Sequence, residues 1–302
     1  AYHAAMNHKG QPTVILAKTV KGYGMGDAGE AENDSHQVKK LNLEELKYFR
    51  DRFDIPLSDR DLESIPFYRP PDDAPEMTYL RRQRARLGGP MPRRVVTDER
   101  LEIPALETFQ PILDGTGKRA NSTTMLFVRM LQTLVRDKQI GKRIVPIVPD
   151  EARTFGMEGM FRQLGIYAPE GHKYTPVDKD QVMYYREARD GQILQEGINE
   201  AGGMASWIAA ATSYSTNNRI MVPFYIYYSM FGLQRVGDLC WAAGDMQARG
   251  FLLGGTSGRT TLNGEGLQHE DGHSHILAGT IPNCVSYDPT FAHEVAVIMQ
   301  HG

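Results

Sequence analysis

The sequence has few cysteines, little net charge and no long apolar run. Only Cys240 and Cys284 occur among its 302 residues, both in apolar surroundings, which indicates reduced core cysteines and not a disulfide framework. A formal net charge of -3 gives no reason to expect binding to nucleic acid or to a membrane surface. No apolar run approaches the roughly 18 residues of a transmembrane helix, and no signal-peptide pattern is present. We therefore expect a cytoplasmic protein that binds neither nucleic acid nor membranes.

The length and composition, 41% hydrophobic and 24% charged, are those of an ordinary globular chain of about two domains. In the first third, residues 13–17 have the pattern of a buried strand, and Asn42 and Ser58 have the spacing of capping boxes that begin helices. Seven of the 17 prolines lie in residues 56–92, together with a run of arginines. This composition predicts an interdomain linker with a solvated basic face.

From about residue 120, strand patterns alternate with helix patterns. The predicted strands are 143–148, 219–227, 251–253 and one around 284–287, and the predicted helices include 196–214, 236–247 and one from 290. This alternation predicts an α/β fold in which a parallel sheet has helices on both faces. Pro223 is unexpected in a central strand, because proline cannot donate a hydrogen bond to the ladder.

Polar and aromatic residues follow several of these strands. Asp150 and Glu151 follow the first strand, carboxylates in residues 196–200 follow another segment, and residues 227–231 end a strand with aromatic side chains. Ligands of open α/β sheets bind outside the carboxyl ends of the strands. A carboxylate beside an apolar wall is also where a pKa can shift towards acid–base chemistry. The sequence therefore predicts one side of an active site at this edge.

Long unbroken strings carry a resemblance to a known family. The longest is 254–275, which includes GEGLQHEDGHSH at 264–275, and the others are 17–24, 150–159, 193–200, 209–218 and 223–235. These strings resemble the homodimeric type of pyruvate dehydrogenase, the thiamin-diphosphate-dependent decarboxylase component of its complex. The resemblance implies a thiamin-diphosphate-binding fold, a homodimer and oxidative decarboxylation of pyruvate. It also implies that the acetyl group passes to the lipoyl domain of the dihydrolipoamide acetyltransferase component.

The resemblance implies roles for residues around the cofactor. Glu200 would hydrogen-bond the aminopyrimidine ring and so favour the imino form that deprotonates the thiazolium carbon, which requires a carboxylate in a largely apolar pocket. Ile198 would hold the cofactor bent, and Phe231 would stack on the pyrimidine. His269 would transfer protons, and Tyr228 belongs to the same catalytic set.

Further roles implied by the resemblance lie outside this group. His36 would lie on a mobile loop and serve the transfer of the acetyl group to lipoyl. Asp150 and Glu151 would line the cofactor site and the dimer interface, and Lys21 would lie near the substrate side.

One element of such enzymes is missing. Members bind the diphosphate and its Mg²⁺ through a Gly-Asp-Gly sequence and a later Asn, and no Gly-Asp-Gly occurs here. We therefore expect an internal piece of a longer polypeptide that has no metal ligands of its own. Residues 1–22 would end the diphosphate-binding domain, residues 23–100 would form a mobile loop and linker, and residues 101–302 would form the pyrimidine-binding domain. The alternatives are a transketolase or 2-oxoglutarate decarboxylase relative, and an inactive fragment.

Three other motifs have weaker interpretations. The GMGDAG string at 24–29 matches a dinucleotide fingerprint but precedes a polar loop and not a helix. The string at 254–261 lacks the lysine of a phosphate-binding loop. His269, His273 and His275 have no second ligand cluster nearby, so a zinc site is disfavoured.

Overall fold

The computed structural model describes residues 1–90, 99–149, 152–177, 180, 185–257 and 266–302. The chain divides into two compact units, Ala1–Pro90 and Met91–Gly302, called here the N-terminal and the C-terminal unit. The assignment of residues 1–22, 23–100 and 101–302 to three functional regions stays a prediction.

The N-terminal unit contains helices and turns but no strand. Its α-helices are α1 (Tyr2–Asn7), α2 (Leu43–Arg52), α3 (Asp59–Leu62) and α4 (Pro75–Arg86). Both predicted capping boxes are confirmed, at Asn42 before α2 and at Ser58 before α3. Helix α4 was not predicted within the proline-rich linker, and it begins with Pro75 in its first turn, where proline needs no hydrogen-bond partner.

The strand predicted at residues 13–17 is wrong. This segment has no regular structure, and its Val14 and Leu16 side chains are 81% and 92% exposed. A strand needs a neighbour for its backbone groups, and the N-terminal unit offers none.

The C-terminal unit is built on parallel strands. Its strands are β1 (Ile144–Val148), β2 (Ile166–Tyr167), β3 (Glu187–Ala188), β4 (Leu194–Gln195), β5 (Val222–Tyr228) and β6 (Phe251–Gly255). Its α-helices are α5 (Gln110–Leu113), α6 (Thr123–Leu134), α7 (Phe161–Leu164), α8 (Glu200–Ala211), α9 (Ser213–Thr216), α10 (Leu233–Asp245), α11 (Ser274–Ala278) and α12 (Ala292–His301). The main sheet has the order β4-β1-β5-β6, and all its pairs are parallel, as are β2 and β3.

Alternation along the two central strands divides the core into two layers. Ile144 and Val148 of β1 join Phe224 and Ile226 of β5 in a cluster with α6 and α12. The intervening side chains of both strands, among them Ile147, pack with α8 and α10 on the opposite face. Helices therefore cover both faces of a parallel sheet, and the predicted α/β architecture is confirmed.

Two further strand predictions have opposite outcomes. Pro223 does lie in a central strand, where it pairs with Val145 of β1, but β6 begins to pair only at Phe224. The proline therefore lies before the first residue of β5 that pairs with β6. The strand predicted around 284–287 is wrong, because Cys284 is half-buried and Val285 is exposed in a segment without regular structure.

Helix α8 approaches strand β5 closely at Gly203. A Cβ atom at this position would lie 2.7 Å from the Tyr225 ring, closer than side chains pack. The Tyr225 hydroxyl also donates a hydrogen bond of 3.2 Å to the backbone carbonyl of Glu200. Both contacts fix the first turn of α8 against the sheet.

Candidate active site

The carboxyl ends of the four main strands lie at one edge of the sheet. β1 ends at Val148, β4 at Gln195, β5 at Tyr228 and β6 at Gly255. The segments that follow β4 and β5 carry the acidic and aromatic residues predicted to form a site. Asp150 and Glu151, predicted to follow β1, lie outside the described residues.

Glu200 is the first residue of α8 and is buried, with 9% of its surface exposed. The Asn199 side chain caps the helix by accepting a hydrogen bond of 3.1 Å from the Gly202 N–H. Gly197 has a φ of +74°, a left-handed conformation that allows the chain to turn from β4 into the helix. The helix N-terminus favours a carboxylate at this position.

Glu200, for which the resemblance implies a largely apolar pocket, has a charged partner. Its Oε1 atom lies 2.9 Å from Nη1 of Arg235, a residue of α10 whose side chain is 50% exposed. The same guanidinium lies 4.2 Å from the centroid of the Phe231 ring. Arg235 therefore joins the predicted carboxylate to the predicted aromatic residue, through an ion pair on one side and a cation–π contact on the other.

Tyr228, Phe231 and His269 form one cluster, called here the aromatic–histidine cluster. The His269 ring centroid lies 4.9 Å from that of Tyr228 and 5.0 Å from that of Phe231, both at steep interplanar angles. The Phe155 ring centroid lies 5.4 Å from that of Tyr228. The Nδ1 atom of His269 is buried and has no hydrogen-bond partner among the described residues. The structure thus brings together three residues that the sequence separates by as many as 41 positions.

A buried carboxylate supports this cluster and was not predicted. Asp271 is 7% exposed and accepts hydrogen bonds from the Ser229 hydroxyl and from the backbone N–H groups of His273 and Ser274. Burial alone would raise the pKa of Asp271, but the hydrogen bonds from Ser229, Ser274 and the two N–H groups outweigh it and lower the pKa to about 2. Asp271 is therefore ionised at neutral pH.

Ile198 lies two residues before α8 and exposes 76% of its surface. It is therefore not a residue of the hydrophobic core. An exposed isoleucine beside a buried carboxylate is consistent with contact to a ligand, and its role against the cofactor stays a prediction.

The remaining predicted residues lie in the N-terminal unit. Lys21 is exposed, and His36 is exposed at the end of a 3-10 turn, Asn33–His36. The loop before it is held by Glu30, which accepts hydrogen bonds from the N–H groups of Gly24 and Gly26 and pairs with Arg52. The predicted mobile loop therefore contains an ordered turn at its start, and the roles of Lys21 and His36 stay predictions.

Other ligand chemistries find no support among the described residues. No group of three or more His, Cys, Asp and Glu side chains there could hold a metal ion, and no helix there combines the length and apolarity needed to cross a membrane. Both cysteines are free, and burial raises the pKa of the Cys240 thiol to about 11. His275, considered above as a zinc ligand, instead lies 2.5 Å from the Ser286 hydroxyl through its Nδ1 atom.

Comparison with known proteins agrees with the geometry. The family model of the pyruvate dehydrogenase E1 component middle domain matches residues 101–302. The chain belongs to this family. The family relationship expected from the sequence strings is thus confirmed, and it covers the whole C-terminal sheet with its candidate site.

Curated relatives extend the similarity over the whole chain. It is 67% identical to the pyruvate dehydrogenase E1 component of Pseudomonas aeruginosa over 302 residues, 63% identical to that of Cupriavidus necator and 61% identical to that of Escherichia coli K12. Each match covers 100% of this chain and 34% of the relative. The chain therefore spans about a third of the length of enzymes that bear this name.

A solved structure supports the fold. The transketolase from Campylobacter jejuni matches with a TM-score of 0.57 at 16% identity, covering 96% of this chain and 40% of the transketolase. At this identity the match shows shared architecture alone. The thiamin-diphosphate-binding fold expected from the resemblance is confirmed.

Proposed function

We propose that this chain supplies the aminopyrimidine side of a thiamin-diphosphate site in a complete E1 polypeptide. The complete enzyme would decarboxylate pyruvate oxidatively and transfer the acetyl group to lipoamide, within a pyruvate dehydrogenase complex in the cytoplasm. The family relationship and the names of the curated relatives support this proposal.

The observation that carries the proposal is the buried carboxylate of Glu200. It lies at a helix N-terminus, at the edge of the sheet where ligands bind in folds of this kind. A carboxylate so held can hydrogen-bond a ring nitrogen of the aminopyrimidine. Its ion pair with Arg235 fixes its orientation, and the guanidinium also contacts Phe231.

The neighbouring residues fit the other functions required at such a site. Phe231 offers an aromatic face and Ile198 an exposed aliphatic side chain for the cofactor. His269 holds its Nδ1 atom away from solvent without a partner in the described chain, so it can exchange a proton with a bound substrate. Tyr228 orients the imidazole through an edge contact. Thiamin diphosphate, when bound, supplies the nucleophilic carbon and the electron sink for decarboxylation.

The residues present fit only the pyrimidine half of the cofactor. A Mg²⁺-bound diphosphate needs oxygen ligands and backbone donors, and the sequence has no Gly-Asp-Gly. We assign those ligands to a part of the complete polypeptide outside this chain. In a homodimer, the pyrimidine domain of one subunit would complete the diphosphate domain of its partner, with Asp150 and Glu151 at the junction.

The partners follow from the same proposal. Pyruvate would bind beside His269, with Lys21 on the substrate side, and the lipoyl domain of the acetyltransferase component would receive the acetyl group with help from His36. The names of the relatives favour this activity over that of a transketolase or a 2-oxoglutarate decarboxylase.

The test is Glu200→Ala in the complete polypeptide supplied with thiamin diphosphate and Mg²⁺. Turnover of pyruvate should fall by about two to four orders of magnitude, the usual effect of losing an acid–base group. Glu107→Ala, which removes an exposed glutamate of the same unit, is the matched control and should leave turnover unchanged. Near-normal turnover of Glu200→Ala would refute the assignment of the pyrimidine site.

A further inference from the structure

The aromatic–histidine cluster is held from behind by a second, polar connection. Ser229 follows Tyr228 directly and begins the 3-10 turn Ser229–Phe231, so one short segment carries both aromatic residues of the cluster. Asp271 lies two residues after His269. The hydrogen bond from Ser229 to Asp271 therefore joins the same two segments that meet in the cluster.

Both ends of this hydrogen bond are buried and constrained. Ser229 is 5% exposed and Asp271 is 7% exposed. Ser229 also packs against Gly254 of β6, where a Cβ atom would lie 2.9 Å from the Ser229 hydroxyl oxygen. The serine is thus fixed by the sheet, and it offers its hydroxyl to the Asp271 carboxylate from a defined position.

The second oxygen of the carboxylate organises the other segment. Oδ1 of Asp271 accepts hydrogen bonds from the N–H groups of His273 at 3.0 Å and Ser274 at 3.1 Å, where α11 begins. The Ser274 hydroxyl donates a hydrogen bond of 3.5 Å to the backbone carbonyl of Ser229. One carboxylate therefore ties the start of α11 to the segment after β5, and the single residue between His269 and Asp271, Glu270, leaves the imidazole little freedom.

We propose that Asp271 is a positioning residue, whose buried carboxylate holds His269 against Tyr228 and Phe231. The proposal rests on the proposed function for the role of His269 in proton exchange. In this proposal Asp271 acts through the position of the imidazole and not by contact with the substrate. A displacement of about 1 Å at a reacting group can lower turnover by roughly 100-fold.

The test compares Asp271→Ala with Asp271→Asn and Ser229→Ala in the complete polypeptide. Asp271→Ala should lower kcat about 10- to 100-fold while the KM for thiamin diphosphate changes by less than about 3-fold, because the pyrimidine contacts do not involve Asp271. Asp271→Asn keeps an acceptor for the two N–H groups, and Ser229→Ala keeps the whole carboxylate. Both variants should therefore lower kcat by less than Asp271→Ala does. Asp245→Ala, an exposed aspartate at the end of α10, is the matched control and should lose nothing.

A double-mutant cycle with His269→Ala separates positioning from general stability. If Asp271 acts through His269, adding Asp271→Ala to His269→Ala should lower kcat by less than about 3-fold further. The proposal would be overturned if the losses of kcat in the two single variants add in the double variant, or if Asp271→Ala alone keeps the kcat of the unsubstituted enzyme. If Asp271→Ala does not fold, the same cycle is measured with Ser229→Ala in its place. A non-additive loss of kcat would then support the proposal, and an additive loss would overturn it.

A crystal structure of Asp271→Ala or Ser229→Ala tests the geometry without reference to the reaction. The His269 ring should leave its contacts of 4.9 Å and 5.0 Å with Tyr228 and Phe231. An unmoved imidazole would overturn the inference even if turnover falls. If instead the unsubstituted enzyme does not act on pyruvate, the proposed function fails, whereas a displaced imidazole would still support the positioning role.

Discussion

At the scale of single residues, the candidate site depends on two charged groups whose partners are distant in the sequence. Arg235 forms an ion pair with Glu200, 35 positions away in the sequence, and Asp271 accepts a hydrogen bond from Ser229, 42 positions away. Each of these contacts holds a residue predicted to take part in the chemistry. Their removal should therefore affect both the stability of the C-terminal unit and the reaction.

Arg235→Ala should lower the free energy of unfolding by about 1–2 kcal/mol, because the Glu200 carboxylate would stay buried without its partner. The loss should stay below that of a fully buried pair, since the guanidinium is half exposed. Urea unfolding followed by fluorescence reports on this unit, because Trp207 and Trp241 both lie in it. Combining Arg235→Ala with Glu200→Gln should restore part of the loss, and no recovery would mean that the ion pair does not stabilise the fold.

The pKa of Asp271 gives a prediction about pH. A folded-state pKa of about 2 lies below the ordinary value for aspartate, so the ionised carboxylate stabilises the fold fully above about pH 4. This stabilisation, about 2 kcal/mol, should be lost as the pH falls towards 2. The difference in unfolding free energy between the unsubstituted chain and Asp271→Asn should therefore shrink below pH 4. A difference that grows with acidity would contradict the assigned hydrogen bonds.

How far the site could be predicted depended on sequence distance. Glu200, Tyr228 and Phe231 were predicted from the resemblance, and the strand pattern agrees with it because the carboxyl ends of parallel strands share an edge. The Arg235 ion pair and the Asp271 hydrogen bonds were not predicted, because they depend on how a loop and a helix pack at that edge of the sheet. A pattern of residue types does not encode such side-chain geometry.

At the scale of elements, the strands of five or more residues were predicted from the sequence, and the two-residue strands β2, β3 and β4 were not. β1, β5 and β6 combine a continuous apolar run with neighbours in the sheet. Residues 13–17 have an equally apolar sequence but no neighbouring strand in the N-terminal unit. Helix α4 was missed for the opposite reason, since the prolines around it suggested a linker although Pro75 lies where a helix tolerates it.

The loop that carries His36 allows a prediction that separates two steps of the reaction. His36 is exposed, beyond a turn held by Glu30, so we expect it to serve a docked partner and not the cofactor. In the complete polypeptide, His36→Ala should spare pyruvate decarboxylation assayed with an artificial electron acceptor. It should slow acetylation of the lipoyl domain by about tenfold or more, as loss of a general acid or base does.

The control for His36 is His8→Ala, another exposed histidine of the N-terminal unit, which should affect neither assay. Equal losses in both assays for His36→Ala would show that this histidine serves the cofactor chemistry.

At the scale of the whole molecule, the proposed cofactor site has its pyrimidine half in this chain but not the half that would bind the diphosphate and Mg²⁺. It spans about a third of its curated relatives and contains no Gly-Asp-Gly. The 302-residue chain on its own should therefore show no pyruvate turnover. Calorimetric titration with thiamin diphosphate and Mg²⁺ should detect weak binding at most, because the diphosphate would lack its ligands. Measurable turnover by the chain alone would mean that the cofactor site is misassigned.

The isolated chain should also self-associate. Val14, Leu16 and Phe67 expose 81%, 92% and 106% of their surfaces, and exposed apolar side chains favour association where they form one patch. Sedimentation velocity over a range of concentrations should show a rising average mass for the chain alone. A concentration-independent monomer would indicate that these side chains are separate and do not form one patch.

The close approach at Gly203 has a consequence for random mutagenesis. Any side chain there would meet the Tyr225 ring and push away the helix that begins with Glu200. A genetic screen for loss of pyruvate oxidation should therefore recover substitutions of this glycine alongside those of Glu200, although Gly203 has no side chain to offer the chemistry. Suppressor mutations of such alleles should map to position 225, where a smaller side chain would restore the spacing between helix and strand.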